Sequence, residues 1–292
     1  MQKTIRYLAV ILTCVTALRA ELKTDIVYGE AAGEKLLLDA QVPTGEGPFP
    51  IAILVHGGGW SSGDKKGAEK PGSGADISPW FGPLTSAKFT WFSINYRLAP
   101  KHRWPACFDD VQTAIRWVKA HAAEYKGDPK RIAIFGHSAG GHLALLAALQ
   151  TNDDTRVQAA VGYAPVTDFE QELPTRGGAS LSLQGLFAIG KDITPTSLKI
   201  LRDTSPIHHI QPKGGHPPFL ILHGDEDKTV PLQQSLNFQS RLRANGVSCD
   251  LFIIPGAPHR LTEWSKTSKD HDERMITWVR AVLDGAPKPF SP

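Results

Sequence analysis

The sequence predicts an α/β protein in which helices cover both faces of a mostly parallel central sheet. Short, continuously apolar runs alternate with longer segments of helical periodicity along most of the 292 residues, a pattern typical of parallel strands buried on both faces. Hydrophobic residues make up 41% and charged residues 21% of the chain, the composition of an ordinary folded protein. These observations together predict a doubly wound sheet.

Seven apolar segments have the length of strands, and four longer segments have the pattern of helices. The predicted strands are 35–42, 51–56, 90–95, 131–135, 159–164, 218–223 and 251–254. The predicted helices are 108–125, 139–149, 232–244 and 270–283. In the first of these helices, Val111, Ile115 and Val118 share one side, and Asp109 and Asp110 occupy the first turn, where the helix dipole favours acidic residues.

Two segments interrupt this alternation. Residues 61–79 contain several glycines and are predicted to form a long loop, and residues 165–211 combine proline and glycine punctuation with a short apolar patch. Loops of this length in a compact domain are usually functional or disordered. We expect the second segment to form a small cap-like insertion.

The first twenty residues are predicted to be a secretory signal peptide. Lys3 and Arg6 form a short basic region, and residues 7–18 are an apolar run too short to span a bilayer. We expect cleavage after the small residue Ala20, a mature single domain of residues 21–292, and a secreted or periplasmic location. A buried N-terminal helix is one alternative. A lipoprotein anchor on Cys14 is another, which is disfavoured because Thr13 precedes the cysteine where Gly or Ala is usual.

Charge argues against two classes of partner. The chain has 32 basic and 29 acidic residues, but the predicted signal peptide holds Lys3, Arg6 and Arg19 and no acidic residue, so the mature chain is formally neutral. It also has no basic run. We therefore expect neither nucleic acid nor an anionic membrane as a partner, and no stable membrane anchor. The sequence does not indicate an oligomeric state.

Two cysteines remain in the mature chain. Cys107 and Cys249 fall on well-separated predicted elements, so we expect buried thiols even though an exported compartment permits a disulfide. Neither has neighbours with the spacing of metal ligands, and no metal or cofactor is expected.

The strongest chemical signal is the segment 136–140, Gly-His-Ser-Ala-Gly. It follows a predicted strand and leads directly into a predicted helix, which is the context of a nucleophile elbow. Such a tight turn requires small residues beside the serine, lifts the hydroxyl clear of the sheet, and directs the helix N-terminus at developing negative charge. Ser138 is the predicted nucleophile.

A glycine-rich turn, His-Gly-Gly-Gly-Trp at 56–60, follows the second predicted strand. Acyl transfer produces an oxyanion that needs preorganised donors, and glycines let backbone N–H groups approach it. Gly58, Gly59 and the amide of Ala139 are the predicted oxyanion hole. A flexible turn is the alternative, and a phosphate-binding loop is disfavoured because no Gly-Lys-Ser/Thr ending is present.

The other catalytic candidates follow the last two predicted strands. Asp227 lies in the loop after strand 218–223, with Asp225 as the second choice, where a carboxylate would orient a catalytic imidazole. His259 stands out among eleven histidines because it lies after the acid, beyond the last strand and before the last helix.

These motifs resemble the α/β-hydrolase superfamily, whose triad has the chain order Ser, Asp, His. Segments 56–60, 95–100 and 136–141 and the Asp227/His259 pair carry the likeness, which covers essentially the whole mature chain. The chain resembles most the bacterial feruloyl- and acetylxylan-esterase-like group, beside the hormone-sensitive-lipase-like esterases. The resemblance implies the α/β-hydrolase fold.

Two features depart from these relatives. Lipase-like members usually carry a larger N-terminal cap and an aspartate before the serine, where this chain has His137. The loop 65–78 is longer than the resemblance leads us to expect, and it leaves the sheet near the site. The resemblance therefore does not determine the shape of the acyl or alcohol pocket.

The resemblance implies a secreted serine carboxylesterase that works through an acyl-enzyme, with removal of acetyl or feruloyl groups from plant polysaccharide as the expected reaction. Tryptophans in predicted loops can stack on sugar or aromatic groups; these are Trp60, Trp80, Trp104 and Trp264. The predicted substrate-binding residues are Trp60, His137 and Trp264, with packing as the alternative for each.

Three other functions are consistent with these motifs. The first is a general short-chain or lipase-like esterase. The second is a peptidase of the same fold, which is disfavoured because such enzymes usually carry a large propeller domain that 292 residues do not accommodate. The third is an inactive hydrolase acting as an extracellular binding module, since fold does not settle function.

Overall fold

The computed structural model describes residues 20–67, 76–150, 152–212 and 215–286. Residues 1–19 of the predicted signal peptide and residues 68–75 of the long loop lie outside the described residues. The predicted fold class is confirmed, because an eight-stranded, mostly parallel sheet is flanked by helices on both faces. No helix of the described ranges is long and apolar enough to cross a bilayer.

The sheet contains all seven predicted strands and one further strand at its edge. The strands are β1 Glu21–Ala31, β2 Glu34–Val42, β3 Phe49–Val55, β4 Thr90–Ile94, β5 Gly127–His137, β6 Ala159–Tyr163, β7 Phe219–Gly224 and β8 Cys249–Ile254. Their order is β1-β2-β4-β3-β5-β6-β7-β8, and β2 runs antiparallel to both of its neighbours. The sequence pattern did not predict β1 because its side chains are mostly exposed.

The α-helices include the four predicted ones. They are α1 Phe81–Ser86, α2 Ala106–His121, α3 Ala139–Leu149, α4 Leu173–Arg176, α5 Leu181–Phe187, α6 Pro195–Thr204, α7 Gln233–Ala244 and α8 His271–Leu283. Short 3₁₀ helices lie at Ser78–Trp80, Ala122–Tyr125, Pro206–His209 and Leu261–Lys266. The predicted cap-like segment, 165–211, contains α4, α5 and α6.

Both faces of the central strands are buried, which explains why these strands read as continuous apolar runs. In β3, Ile51, Ile53 and Val55 pack into one core, and Ala52 and Leu54 pack into the other. Helices α2, α3 and α7 cover the first core, and α1 and α8 cover the second. Helix α3 is buried along its whole length.

The two cysteines lie apart as expected. Cys107 is in α2 and Cys249 begins β8, and both are buried thiols. Burial raises the pKa of the Cys107 thiol to about 12, so it stays protonated and unreactive.

The described ends of the 65–78 loop are anchored in different places. Lys65 is buried, and its Nζ lies 2.8 Å from Asp25 Oδ1 and 2.9 Å from Asp39 Oδ1. These contacts draw this end towards β1 and β2. At the other end, Asp76 Oδ1 accepts a hydrogen bond from the amide of Thr262 (3.1 Å), three residues beyond His259.

Candidate active site

Ser138 occupies a sharp turn between β5 and α3. Its φ of +54° lies in a region that non-glycine residues rarely adopt and that is frequent at functional sites. A Cβ on Gly136 would lie 2.1 Å from the Gly140 carbonyl oxygen, and one on Gly140 would lie 2.2 Å from the Val55 carbonyl oxygen. The Ser138 amide donates to the Tyr163 carbonyl (2.9 Å). Glycines and a neighbouring strand therefore hold the serine in this conformation.

The 56–60 turn packs directly against this elbow. A Cβ on Gly57 would lie 3.1 Å from the His137 carbonyl oxygen and 3.3 Å from Ser138 Cβ. The ring of Tyr96 stacks on His56 with a centroid distance of 4.3 Å, and its hydroxyl donates to the His56 carbonyl (3.0 Å). The turn is thus held beside the serine at the carboxyl ends of β3 and β5.

The predicted oxyanion donors lie at this contact. Gly58 and Gly59 have φ values of +105° and +59°, which favour glycine. No backbone hydrogen bond of the described loops uses the amide nitrogen of Gly58 or Gly59. The Ala139 amide is at the first turn of α3, where N–H groups have no partner within the helix. Gly59 and Ala139 border the same cavity as Ser138.

Asp227 and His259 are joined by a short hydrogen bond of 2.6 Å between Oδ2 and Nδ1. The other carboxylate oxygen accepts from the amides of Thr229 (2.8 Å) and Val230 (2.9 Å). Burial raises the pKa of Asp227, but hydrogen bonds from His223 and His259 outweigh it and leave the pKa well below its usual range. An ionised Asp227 holds the proton on Nδ1 of His259 and leaves Nε2 able to accept a proton.

A second histidine supports this carboxylate. The Nε2 of His223 lies 2.9 Å from the Val230 carbonyl and 3.4 Å from Asp227 Oδ2, and its Nδ1 contacts Ser235 Oγ at 2.6 Å. The reserve candidate, Asp225, has another partner, because its Oδ1 accepts from the Gly256 amide (2.6 Å).

His137 contacts the backbone of His259. Its Nε2 lies 3.0 Å from the His259 carbonyl oxygen, and the two ring centroids are 4.8 Å apart. Burial, together with the nearby His259, lowers the pKa of His137 to about 3, so Nε2–H donates as part of a neutral ring. Among the described residues no hydrogen bond joins the Ser138 hydroxyl to His259. Catalytic hydrogen bonds of this kind often tighten only when substrate binds.

A cavity of about 140 Å³ opens beside Ser138. Its lining is apolar at Trp60, Val166, Phe169, Leu183 and Val230, and polar at Glu172, Arg176, Ser180, Ser182 and Thr229. More than half of the lining residues come from the 165–211 insertion, which therefore forms much of the cavity wall beside Ser138. The Trp60 indole donates to His142 Nδ1 (3.2 Å), and His142 Nε2 contacts the Thr204 carbonyl (2.8 Å).

Two of the three predicted substrate-binding residues lie elsewhere. Trp264 is fully buried, its indole donates to the Pro258 carbonyl (2.7 Å), and its ring packs 5.4 Å from that of Tyr163. His137 is 3% exposed, and its ring bonds the carbonyl of His259. Both rings turn into the protein and neither borders the Ser138 cavity, whereas Trp60 lines it.

Two other loop tryptophans also pack inward. Trp80 is fully buried against Phe135. Trp104 stacks on Phe108 at a centroid distance of 5.4 Å. The aromatic surface available to substrate is thus smaller than the sequence suggested.

The family match covers residues 38–242 with the BD-FAE model, more than half of the chain. The chain belongs to the BD-FAE family. The resemblance predicted from the sequence is confirmed. The matched region begins within β2, ends within α7 and includes Ser138 and Asp227, whereas His259 lies beyond it.

Curated relatives of this BD-FAE member are esterases. The probable carboxylic ester hydrolase LipM of Mycobacterium tuberculosis (strain ATCC 25618 / H37Rv) is 38% identical over 75% of this chain and 51% of LipM. Esterase LipC of the same organism is 32% identical over 80% of this chain and 58% of LipC. The chain thus spans about half the length of the curated relatives it matches.

Among solved structures, a truncated carbohydrate esterase from gut microbiota has a TM-score of 0.74 at 25% identity, covering 91% of this BD-FAE chain and 97% of the esterase. An acetyl ester-xyloside bifunctional hydrolase from Caldicellulosiruptor lactoaceticus has a TM-score of 0.71 at 25% identity, covering 90% of this chain and 97% of the hydrolase. The α/β-hydrolase fold is therefore confirmed.

Sequence reasoning missed three residues at this site. His223 ends the strand before Asp227, and that position was the available signal for it. Glu172 and Arg176 line the cavity but lie in the irregular insertion, where no motif or periodicity singled them out.

Proposed function

We propose that this BD-FAE member is a serine carboxylesterase in which Ser138, His259 and Asp227 act through an acyl-enzyme. The observation that carries the proposal is the 2.6 Å bond from a buried carboxylate to His259, at the sheet edge where Ser138 has its strained backbone. A carboxylate, an oriented imidazole and an elbow serine are the parts that nucleophilic acyl transfer requires.

In the first half of the reaction, His259 Nε2 removes the proton of Ser138 as Oγ attacks the ester carbonyl carbon. The amides of Gly58, Gly59 and Ala139 stabilise the oxyanion, and one such donor typically contributes about 3 kcal/mol. The bond to the alcohol oxygen then breaks, and His259 gives its proton to the departing alcohol.

The second half repeats these steps with water. His259 takes a proton from water, which attacks the acyl carbon of the ester to Ser138. The acid leaves and the proton returns to the serine oxygen. The residues of the chain supply every acid, base and oxyanion donor in this sequence, and the proposal includes no cofactor or metal.

The proposed substrate is an acetyl ester of plant polysaccharide. Two structural neighbours are named as a carbohydrate esterase and an acetyl ester-xyloside hydrolase, and the cavity of about 140 Å³ favours an acetyl over a feruloyl group. Secretion or export to the periplasm, with cleavage after Ala20, is part of the same proposal. Mass spectrometry of the exported protein tests this, since a mature chain is expected to begin at Glu21.

A fluorophosphonate probe tests the chemistry. Labelling of the wild type but not of Ser138→Ala is expected. Labelling of neither protein would contradict the proposal and favour an inactive hydrolase that acts as a binding module.

A substrate panel tests the specificity. Acetylated xylan, methyl ferulate and short and long p-nitrophenyl esters should be assayed side by side, with release from acetylated xylan expected. Activity on short p-nitrophenyl esters alone would indicate a general short-chain esterase, and activity only on long-chain esters would contradict a carbohydrate substrate.

A further inference from the structure

A buried carboxylate shares the Ser138 cavity without belonging to the proposed catalytic residues. Glu172 is 9% exposed and lines the cavity. Its Oε2 accepts a hydrogen bond from Arg176 Nε (2.6 Å). Its Oε1 is buried and has no hydrogen-bond partner among the described residues. One half of this carboxylate is therefore satisfied and the other half is not.

Arg176 holds the carboxylate in place. Its Nη2 donates to the Thr229 carbonyl (2.7 Å), and the Thr229 amide donates in turn to Asp227 Oδ1 (2.8 Å). Glu172 is thus tied through one arginine to the loop of the proposed catalytic acid. This contact uses Oε2, and Oε1 makes no hydrogen bond with Arg176.

Leaving a buried acceptor unpaired costs about 1–3 kcal/mol, and more for a charged group. Burial raises the pKa of Glu172, although Arg176 and His259 oppose the shift. Unpaired buried polar groups in native proteins call for an explanation. A donor supplied by the substrate would remove the cost.

We infer that Glu172 turns Oε1 towards the cavity when the ester binds and that Oε1 then accepts a hydrogen bond from a hydroxyl group of that ester, so that the enzyme selects esters of polyhydroxy alcohols, such as partly acetylated sugars. This inference rests on the proposed esterase function. A carboxylate accepts hydrogen bonds and donates none when ionised, so it distinguishes a hydroxyl from a hydrogen atom at the same position. The same charge disfavours substrates with a carboxylate there.

Two acetates that differ by one hydroxyl test the inference. The ratio of kcat/KM for trans-1,2-cyclohexanediol monoacetate to that for cyclohexyl acetate is expected to be about tenfold or more in the wild type, since a site built to bond a hydroxyl rejects the analogue that lacks it. In Glu172→Met the ratio should fall towards one. In Glu172→Gln, which keeps a neutral acceptor, it should be intermediate.

The matched control is Glu170→Met. Glu170 also pairs with an arginine, Arg202, but is absent from the cavity lining, so the wild-type ratio is expected. A ratio near one in the wild type would overturn the inference. So would a wild-type ratio in Glu172→Met. If Glu172→Met does not fold, a wild-type ratio in Glu172→Gln would overturn it instead. Failure of the esterase proposal looks different, because the wild type would then hydrolyse neither acetate.

Discussion

His137 and His259 are joined by a hydrogen bond from the ring of one to the main chain of the other, 3.0 Å from Nε2 to the carbonyl oxygen and 122 residues apart in sequence. His137 precedes the proposed nucleophile, and His259 is the proposed base. The bond therefore connects the elbow of β5 to the loop after β8. Because the pKa of His137 is lowered to about 3, the ring stays neutral at every pH where an esterase normally works.

This contact makes His137 a positioning residue for His259. Replacing it with leucine should lower kcat by roughly tenfold or more with little change in KM, because small displacements of a catalytic group are costly. His137→Gln keeps an N–H donor and should recover part of the loss. Steady-state kinetics of the two variants, with thermal melts to check folding, give the answer. Unchanged kcat in a folded His137→Leu would show that the bond does not position His259.

The two aspartates of the 225–227 loop give a matched pair of variants. Asp227→Asn should lower kcat by about 10⁴-fold, because an amide no longer holds the catalytic tautomer of His259. Asp225→Asn should retain activity within a few-fold, since that side chain bonds the Gly256 amide. Kinetics on p-nitrophenyl acetate compare them. Equal losses in the two variants would contradict the assignment of Asp227.

The glycines of the elbow are steric requirements. A Cβ at Gly140 would lie 2.2 Å from the Val55 carbonyl oxygen and 2.3 Å from that of His56, so Gly140→Ala should destabilise the fold by about 3 kcal/mol or more and abolish probe labelling. Gly82, in α1, has no atom within 4 Å of the corresponding position. Gly82→Ala should be neutral or slightly stabilising. Urea unfolding measures both, and a stable, active Gly140→Ala would refute the steric argument.

The buried ring of His142 should make the free energy of unfolding depend on pH. Burial lowers its pKa from 6.5 to about 4, so the unfolded chain takes up the proton first as the pH falls. Stability present above pH 6.5 is therefore lost between pH 6.5 and 4. His142→Gln should reduce the loss between pH 7 and 4.5 by about 2 kcal/mol. Urea unfolding at the two pH values measures it.

The control for this experiment is His208→Gln, at an exposed position. This variant should lose as much stability between pH 7 and 4.5 as the wild type does. If His142→Gln lost as much stability as the wild type over the same pH interval, the buried ring would not be the source of the effect. His56 and His137 are also buried with lowered pKa values, so part of the loss should persist in His142→Gln.

Much of the fold was predictable because its signals are local. Continuous apolar runs identify strands such as β3 and β5, which are buried on both faces. The edge strand β1 has no such run, since its side chains are mostly exposed, and its pairing with β2 is not encoded in its own pattern. The extent of the cap-like insertion was visible from its composition, but its helices α4 to α6 were not.

The sequence by itself determined the conformation of the two turns at the site, because glycine spacing and a strand-to-helix transition act within a few residues of Ser138. Only the tertiary structure decided that Asp227, and not Asp225, bonds His259, that the ring of Trp264 turns into the core, and that Glu172 lines the cavity. The physical reason is that the burial and partners of a side chain depend on residues that lie far away along the chain and become neighbours only when the sheet and its insertion assemble.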